Sequence, residues 1–195
     1  MDDELLDVVD EHGRRLGTKR RGDVHRDGDW HLAFHLWVVG PGGVLLQRRA
    51  QAKASWPGRL DASAAGHLTA GESVADGLRE VEEELGVTYR MDELHALGMH
   101  RVDEVANREL QHVFAVRDDR PLTAWTDFDR VELDGLVLVA HAAFAALVNG
   151  SPAPARSWDG THAGDVTVGP GDLVPTPYLS ALVPDLERVA ATGPR

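Results

Sequence analysis

The sequence predicts one domain of mixed α+β class, on three observations. The chain has 195 residues, enough for one sizeable core and short for two. Apolar runs of strand length, His31 to Val39 above all, are punctuated by glycine and proline turns. One segment, Ser73 to Leu85, changes to helical spacing: Val74, Leu78, Val81 and Leu85 recur at four, three and four residues and line one stripe.

In chain order, Leu5 to Val9 followed by Glu11-His12-Gly13 predicts a short strand ending in a turn. His31 to Val39 predicts a central strand. Gly40-Pro41-Gly42-Gly43 is turn chemistry, and Val44 to Arg49 returns, so a β-hairpin follows. Trp56-Pro57-Gly58 predicts another turn before a small-residue strand, Leu60 to Ala64, that ends at Gly66. Gly86 supplies the stop for the Ser73–Leu85 helix. Leu97 to Val105, Glu109 to Arg117 and Val131 to Val139 read as strands, and His141 to Val148 as a second helix. Ser151 to Gly171 is rich in Pro, Gly and Ser and predicts loop; Pro177 to Ala191 predicts a last helix, interrupted or kinked near Pro184. Residues 1–29 are then a strand and lead-in, 30–165 the main domain, and 166–195 a loop and helix packed on the same domain.

Composition narrows the function. No apolar run approaches the roughly 20 residues of a membrane span, and the acidic start Met1-Asp2-Asp3-Glu4 is unlike a secretory signal. The absence of cysteine excludes disulfides, thiolate zinc sites and a cysteine nucleophile. A cytoplasmic enzyme is expected. A net charge of −12 argues against nucleic acid as a partner. A polyanionic substrate would then need local arginines, helix N-termini or a bridging cation.

The helix carries Glu72 before it and Glu80, Glu82, Glu83 and Glu84 within it. At about 100° per residue, Glu80, Glu83 and Glu84 share an arc of about 100° with Glu72 close to Glu83, apart from the apolar stripe. Such carboxylates repel one another by a few tenths of a kcal/mol per pair, about 0.2–0.5. Arg79 is one compensating cation, and a hard divalent metal is the natural second. A bound metal also turns an acidic face into a phosphate receptor.

Gly66, five residues, Glu72, then Arg79-Glu80-Val81-x-Glu83-Glu84-x-Gly86-Val87 resembles the Nudix box, spanning 66–87. One interval departs: six residues separate Glu72 from Arg79 where the box has seven, which bears on the role of Glu72 and on how the Gly66–Gly71 loop enters the helix. The resemblance implies a Nudix-type α/β/α sandwich around a mixed sheet, and Mg²⁺ or Mn²⁺ as cofactor. It implies Glu80 and Glu84 as principal ligands, with Glu83 and the Gly66 carbonyl joining them and Arg79 orienting the carboxylates.

A second set of residues resembles the isopentenyl-diphosphate isomerase branch of that family. His25 and His31 precede Leu32-Ala33-Phe34, His67 follows the box glycine, and Glu109 lies on a later strand. In that branch the corresponding residues bind a second metal, which implies His25, His31, His67 and Glu109 here. Trp56-Pro57-Gly58, Val174-Pro175 and Tyr178 extend the likeness over nearly the whole chain. Isomerases of this kind use a cysteine just before the box; Asp61-Ala62-Ser63-Ala64-Ala65 stands there instead, and a serine lacks a thiol's acidity. A hydrolase is therefore expected.

The implied reaction is attack of water on a phosphorus of a nucleoside diphosphate linked to another moiety, with Glu80, Glu83 or Glu109 taking the proton. Arg48 and Arg49, at the end of the hairpin strand, are candidates for a distal phosphate. Trp56 or Trp30 is a candidate for stacking a base, whereas Trp37 sits in an apolar strand and is expected in the core. A small-molecule partner, no membrane, and a monomer or homodimer are expected. The rivals are an isomerase-like protein without isomerase activity and a non-catalytic nucleotide sensor.

Overall fold

The computed structural model of the protein describes residues 3–104 and 107–193. Its order is β1 (Leu5–Val9), β2 (Arg15–Arg20), α1 (Arg21–Asp27), β3 (Trp30–Gly40), β4 (Gly43–Arg49), β5 (Leu60–Asp61), β6 (Ala64–His67), α2 (Leu78–Leu85), β7 (His95–Glu104), β8 (Asn107–Arg117), β9 (Leu133–Val139), α3 (His141–Val148), β10 (Ala153–Trp158), β11 (Ala163–Val168) and α4 (Leu179–Ala190). The expected strand end at Val105 lies outside the described residues.

β3 explains the architecture. Along it Phe34, Leu36 and Val38 enter one core, which α2 closes with Val81 and Leu85. Trp37 and Val39 enter a second core, closed by α3 and α4 through Phe144, Leu147, Leu179, Leu182, Leu186 and Val189. Alternation at period two sends neighbours to opposite faces, so a strand covered on both sides reads as a nearly unbroken apolar run. The result is a helix–sheet–helix sandwich with the sheet order β11-β10-β9-β4-β3-β1-β2. β8 pairs parallel to β3 from Trp30↔Arg108 to Val39↔Arg117, whereas the hairpin β3–β4 and the β3–β6 pair are antiparallel, so the sheet is mixed.

Three expectations change. The stretch 151–171 is not loop: β10 and β11 form an antiparallel hairpin from Ala153↔Val168 to Trp158↔Ala163, added to β9. The inward side chains of β10, Ala153 and Ala155, are small, and β11 adds only Val166 and Val168, so the period-two signal is weak beside the turn-forming composition. Pro154 fits because β9 pairs only with Arg156, Ser157 and Trp158, leaving the strand before them without that neighbour. β2 and α1 were not expected; β2 carries no apolar alternation and is held by its pairing to β1, and α1 buries only Val24. α4 runs through Pro184, which is exposed; the carbonyl it leaves unbonded is that of Ser180, on an equally exposed residue open to water.

The box helix also starts differently. A 3₁₀ turn, Val74–Gly77, precedes α2, and Ser73 bonds Asp76 through both its N–H and its hydroxyl. Four 3₁₀ residues rise about 8 Å and turn about 480°, while five α residues rise about 7.5 Å and turn about 500°. The shorter connection therefore delivers α2 at almost the same height and azimuth. Gly77 makes it fit, since a Cβ there would lie 2.7 Å from the Phe34 ring.

Candidate active site

Gly66 on β6 faces α2 so closely that a Cβ would lie 2.1 Å from Glu80 Cδ. The Glu80 carboxylate thus rests on the Gly66 backbone. One turn on, Glu84 is buried, and its Oε2 accepts the Ala65 N–H at 2.9 Å and the Gln47 amide at 3.3 Å. Burial pushes the Glu84 carboxyl up to about 8. Burial also raises Glu80, against the pull of Arg79. Arg79 forks to Glu72 at 3.1 Å, Glu80 at 2.8 Å and Glu83 at 2.8 Å. Three carboxylates share this guanidinium and Glu84 lies beside them without it, an oxygen-rich set that fits a hard divalent cation. The 3₁₀ turn brings Glu72 fully into this network, where it also accepts the Thr69 N–H at 2.7 Å.

His67 follows Gly66 on the strand and so turns to the opposite face. There the parallel register sets Glu109 beside His31, and α1 supplies His25. One ring nitrogen from each of His25, His31 and His67 lies within 4.8 Å of the others. Glu109 Oε1 is 3.1 Å from His67 Nε2 and 3.7 Å from His31 Nε2. His31 Nδ1 is 3.0 Å from the Asp29 carbonyl and so carries the proton, while its buried Nε2 has no hydrogen-bond partner. Burial lowers His67 to about 4, leaving a neutral imidazole at neutral pH. Burial pushes Glu109 up, but the His67 hydrogen bond and the neighbouring histidine rings outweigh it and hold the carboxyl well below its ordinary range. Three imidazoles and a carboxylate suit a borderline divalent ion.

The substrate-binding candidates separate. Arg49 bonds the Ser55 carbonyl at 3.1 Å and reaches Asp61 at 3.4 Å, and Asp61 pairs across from Gln47 beside Glu84. Arg48 bonds the Gly58 carbonyl and lines a cavity of about 270 Å³ with Asp134, Ser157, Trp158 and His162, so it does not join the glutamates. Trp56 is 38% exposed on the loop behind Arg49, with a positive φ of 51°. Trp30 carries Arg101 over its ring, 4.7 Å from the centroid, and Trp37 is in the core.

Sequence reasoning missed Gln47, Lys53, Gln111 and the part Tyr178 takes. Gln47 was visible as the one amide ending the apolar run Val44-Leu45-Leu46. Lys53 pairs with Glu132, and burial lowers its pKa although Glu84 and Glu80 pull it back up. Ser63 is fully buried, donating to the Leu45 carbonyl and accepting the Val38 N–H, so it is committed to the fold.

Comparison with known proteins identifies the family. The family description "NUDIX domain" matches residues 29–158. The chain belongs to the Nudix family. It is 36% identical over 147 residues to an uncharacterized Nudix hydrolase of Clostridium acetobutylicum, covering 71% of each chain. It is 32% identical over 171 residues to an isopentenyl-diphosphate Delta-isomerase of Corynebacterium diphtheriae, covering 80% of this chain and 90% of that one. The relatives it resembles thus include a protein named as a Nudix hydrolase and one named as an isopentenyl-diphosphate isomerase. The fold matches a crystal structure from Deinococcus radiodurans, DR0079, with a TM-score of 0.65 at 19% identity, over 94% of this chain and 99% of that one. His25 and Tyr178 lie outside the Nudix match, although His25 joins the histidine cluster and Tyr178 bonds Gln111.

Proposed function

We propose that this Nudix chain is a metal-dependent hydrolase that cleaves the diphosphate linkage of a nucleoside diphosphate joined to another moiety, by attack of water at phosphorus. The observation that carries the reading is the cluster of Glu72, Glu80 and Glu83 on the Arg79 guanidinium with the buried Glu84 one turn on from Glu80. Glu80, Glu84, Glu83 and the Gly66 carbonyl would hold Mg²⁺ or Mn²⁺. When bound, the ion neutralises phosphate charge and acidifies a water. Arg79 orients Glu80 and Glu83. Glu83 is the most exposed of the set and is placed to accept a proton from solvent-borne water. Arg49, with its guanidinium at the rim beside Asp61, receives the distal phosphate, and Trp56 offers a ring to a base.

The histidine face supports a second divalent ion at His25, His31, His67 and Glu109, with Glu109 as an alternative base. It does not favour isomerisation: no thiol stands before the box, and the Ser63 hydroxyl is locked between two backbone groups. Among the described residues no helix is long and apolar enough to cross a membrane. We place the enzyme in the cytoplasm, as a monomer or homodimer.

The test is an Mg²⁺/Mn²⁺ activity screen over ADP-ribose, dinucleotides, CoA, nucleotide sugars, nucleoside triphosphates and isoprenyl diphosphates, with Glu84→Gln alongside. The expected result is hydrolysis of at least one compound and loss of about 100-fold or more in the variant. Full activity in Glu84→Gln refutes the mechanism, and tight nucleotide binding without any product supports a sensor instead.

A further inference from the structure

We propose that Gln111 and Tyr178 are positioning residues for the histidine-face cation site, holding Glu109 through a hydrogen-bond chain that anchors the site to α4. This rests on reading His25, His31, His67 and Glu109 as a cation site.

Glu109 and Gln111 are two apart on β8 and therefore share a face. Gln111 Nε2 donates to Glu109 Oε2 at 2.5 Å, and the Tyr178 hydroxyl donates to Gln111 Oε1. Glu109 Oε1 is left facing His67 and His31. All three side chains are at least nine-tenths buried. The direction of each bond is then forced. A carboxylate can only accept, so the amide must present its NH₂ to Glu109 and its oxygen to Tyr178, whose O–H supplies the donor. Water has little access to substitute for either link.

Tyr178 is itself held in place. It stands at the residue before α4, and its ring stacks on His100 of β7 at 4.1 Å and 21°. α4 is fastened to the sheet by Leu179, Leu182, Leu186 and Val189. A residue beyond the Nudix match thereby sets which oxygen of Glu109 the histidines see. Partners that orient a metal's ligands typically change its affinity 10–100-fold when removed.

Tyr178→Phe keeps the stacked ring and removes only the hydroxyl; Gln111→Met keeps length and burial and removes both amide groups. Co²⁺ binding is measured by calorimetry and by its visible spectrum in excess Mg²⁺, with His31→Ala to assign the site and melting curves in EDTA to establish folding. Each variant is expected to bind Co²⁺ about 10–100-fold more weakly with an altered spectrum. The double variant is expected to be no weaker than Gln111→Met, because both changes cut one chain. Affinity equal to the parent in either folded variant, or additive losses in the double, overturns the proposal while leaving the cation site standing. A parent chain whose Co²⁺ binding is absent, or unaffected by His31→Ala, refutes the cation site and the positioning role with it.

Discussion

Replacing Gly66 with alanine adds one carbon at the point where β6 meets the glutamate helix. That carbon would sit 2.1 Å from Glu80 Cδ and 2.2 Å from Oε2, where ordinary contact begins at 3.4 Å, so the carboxylate must retreat by about 1.3 Å. Gly66 does not require a left-handed backbone, and the obstructing atoms end a flexible side chain, so the fold can absorb the change. We therefore expect Gly66→Ala to melt within about 4 °C of the parent, the shift of roughly 1 kcal/mol in a chain of this size. Misplacing a catalytic group by about 1 Å costs on the order of 100-fold. The loss should fall on kcat and on the Mg²⁺ concentration for half-maximal rate, with KM for the organic substrate little changed. The assay is initial-rate kinetics across Mg²⁺ concentrations on whichever diphosphate the screen identifies, beside a thermal melt. Parental kcat and Mg²⁺ dependence in a folded Gly66→Ala would show that the Glu80–Gly66 contact is not part of the machinery.

Glu84 makes a pH prediction for the metal-free protein. Its carboxyl is raised from 4.5 to about 8, so between those values the folded state binds more protons than the unfolded state. The contribution of Glu84 to stability is thus fully present below about pH 4.5 and declines as pH rises toward 8. Denaturant titrations in EDTA should show a decline of a few kcal/mol, of the order linkage allows for such a shift, that Glu84→Gln flattens; an unchanged slope counts against a strained Glu84. Gln47→Leu removes the amide donor on Glu84 and should weaken Mg²⁺ binding about tenfold with little loss of stability, because it also deletes the unpartnered Gln47 Oε1; unaltered Mg²⁺ affinity by calorimetry would refute this. Trp56→Gly relieves a left-handed non-glycine conformation, so melting should be unchanged or higher while KM for a nucleotide substrate rises severalfold; an unchanged KM removes Trp56 from the binding surface.

Much of the glutamate face was legible because one helix carries it: at 3.6 residues per turn, spacing alone puts Glu80, Glu83 and Glu84 together. The Arg79 contacts to Glu80 and Glu83 needed only the same helix, whereas its reach to Glu72 depends on the 3₁₀ turn. The histidine face was legible as a residue set only through its resemblance to a family, since His25, His31, His67 and Glu109 come from four separate elements. Arg48 and Arg49 read alike as neighbours, yet the fold sends one to Asp61 and the other to the Gly58 carbonyl.

What the sequence by itself determined are the features governed by short-range periodicity. These include the apolar β3, the hairpin at Gly40–Gly43, the acidic arc of α2, and the lack of a thiol before the box. Tertiary structure alone decided the rest: the β10–β11 hairpin, the 3₁₀ turn that compensates the short interval after Glu72, the Gln47 donor to Glu84, and the Tyr178–Gln111–Glu109 chain. The hairpin depends on its addition to β9 and the 3₁₀ turn on Gly77 fitting against Phe34, while the Gln47 donor and the Tyr178–Gln111–Glu109 chain depend on groups distant in sequence meeting in a buried setting. There an unpaired polar atom is costly enough to select its partner, and no local pattern records that choice.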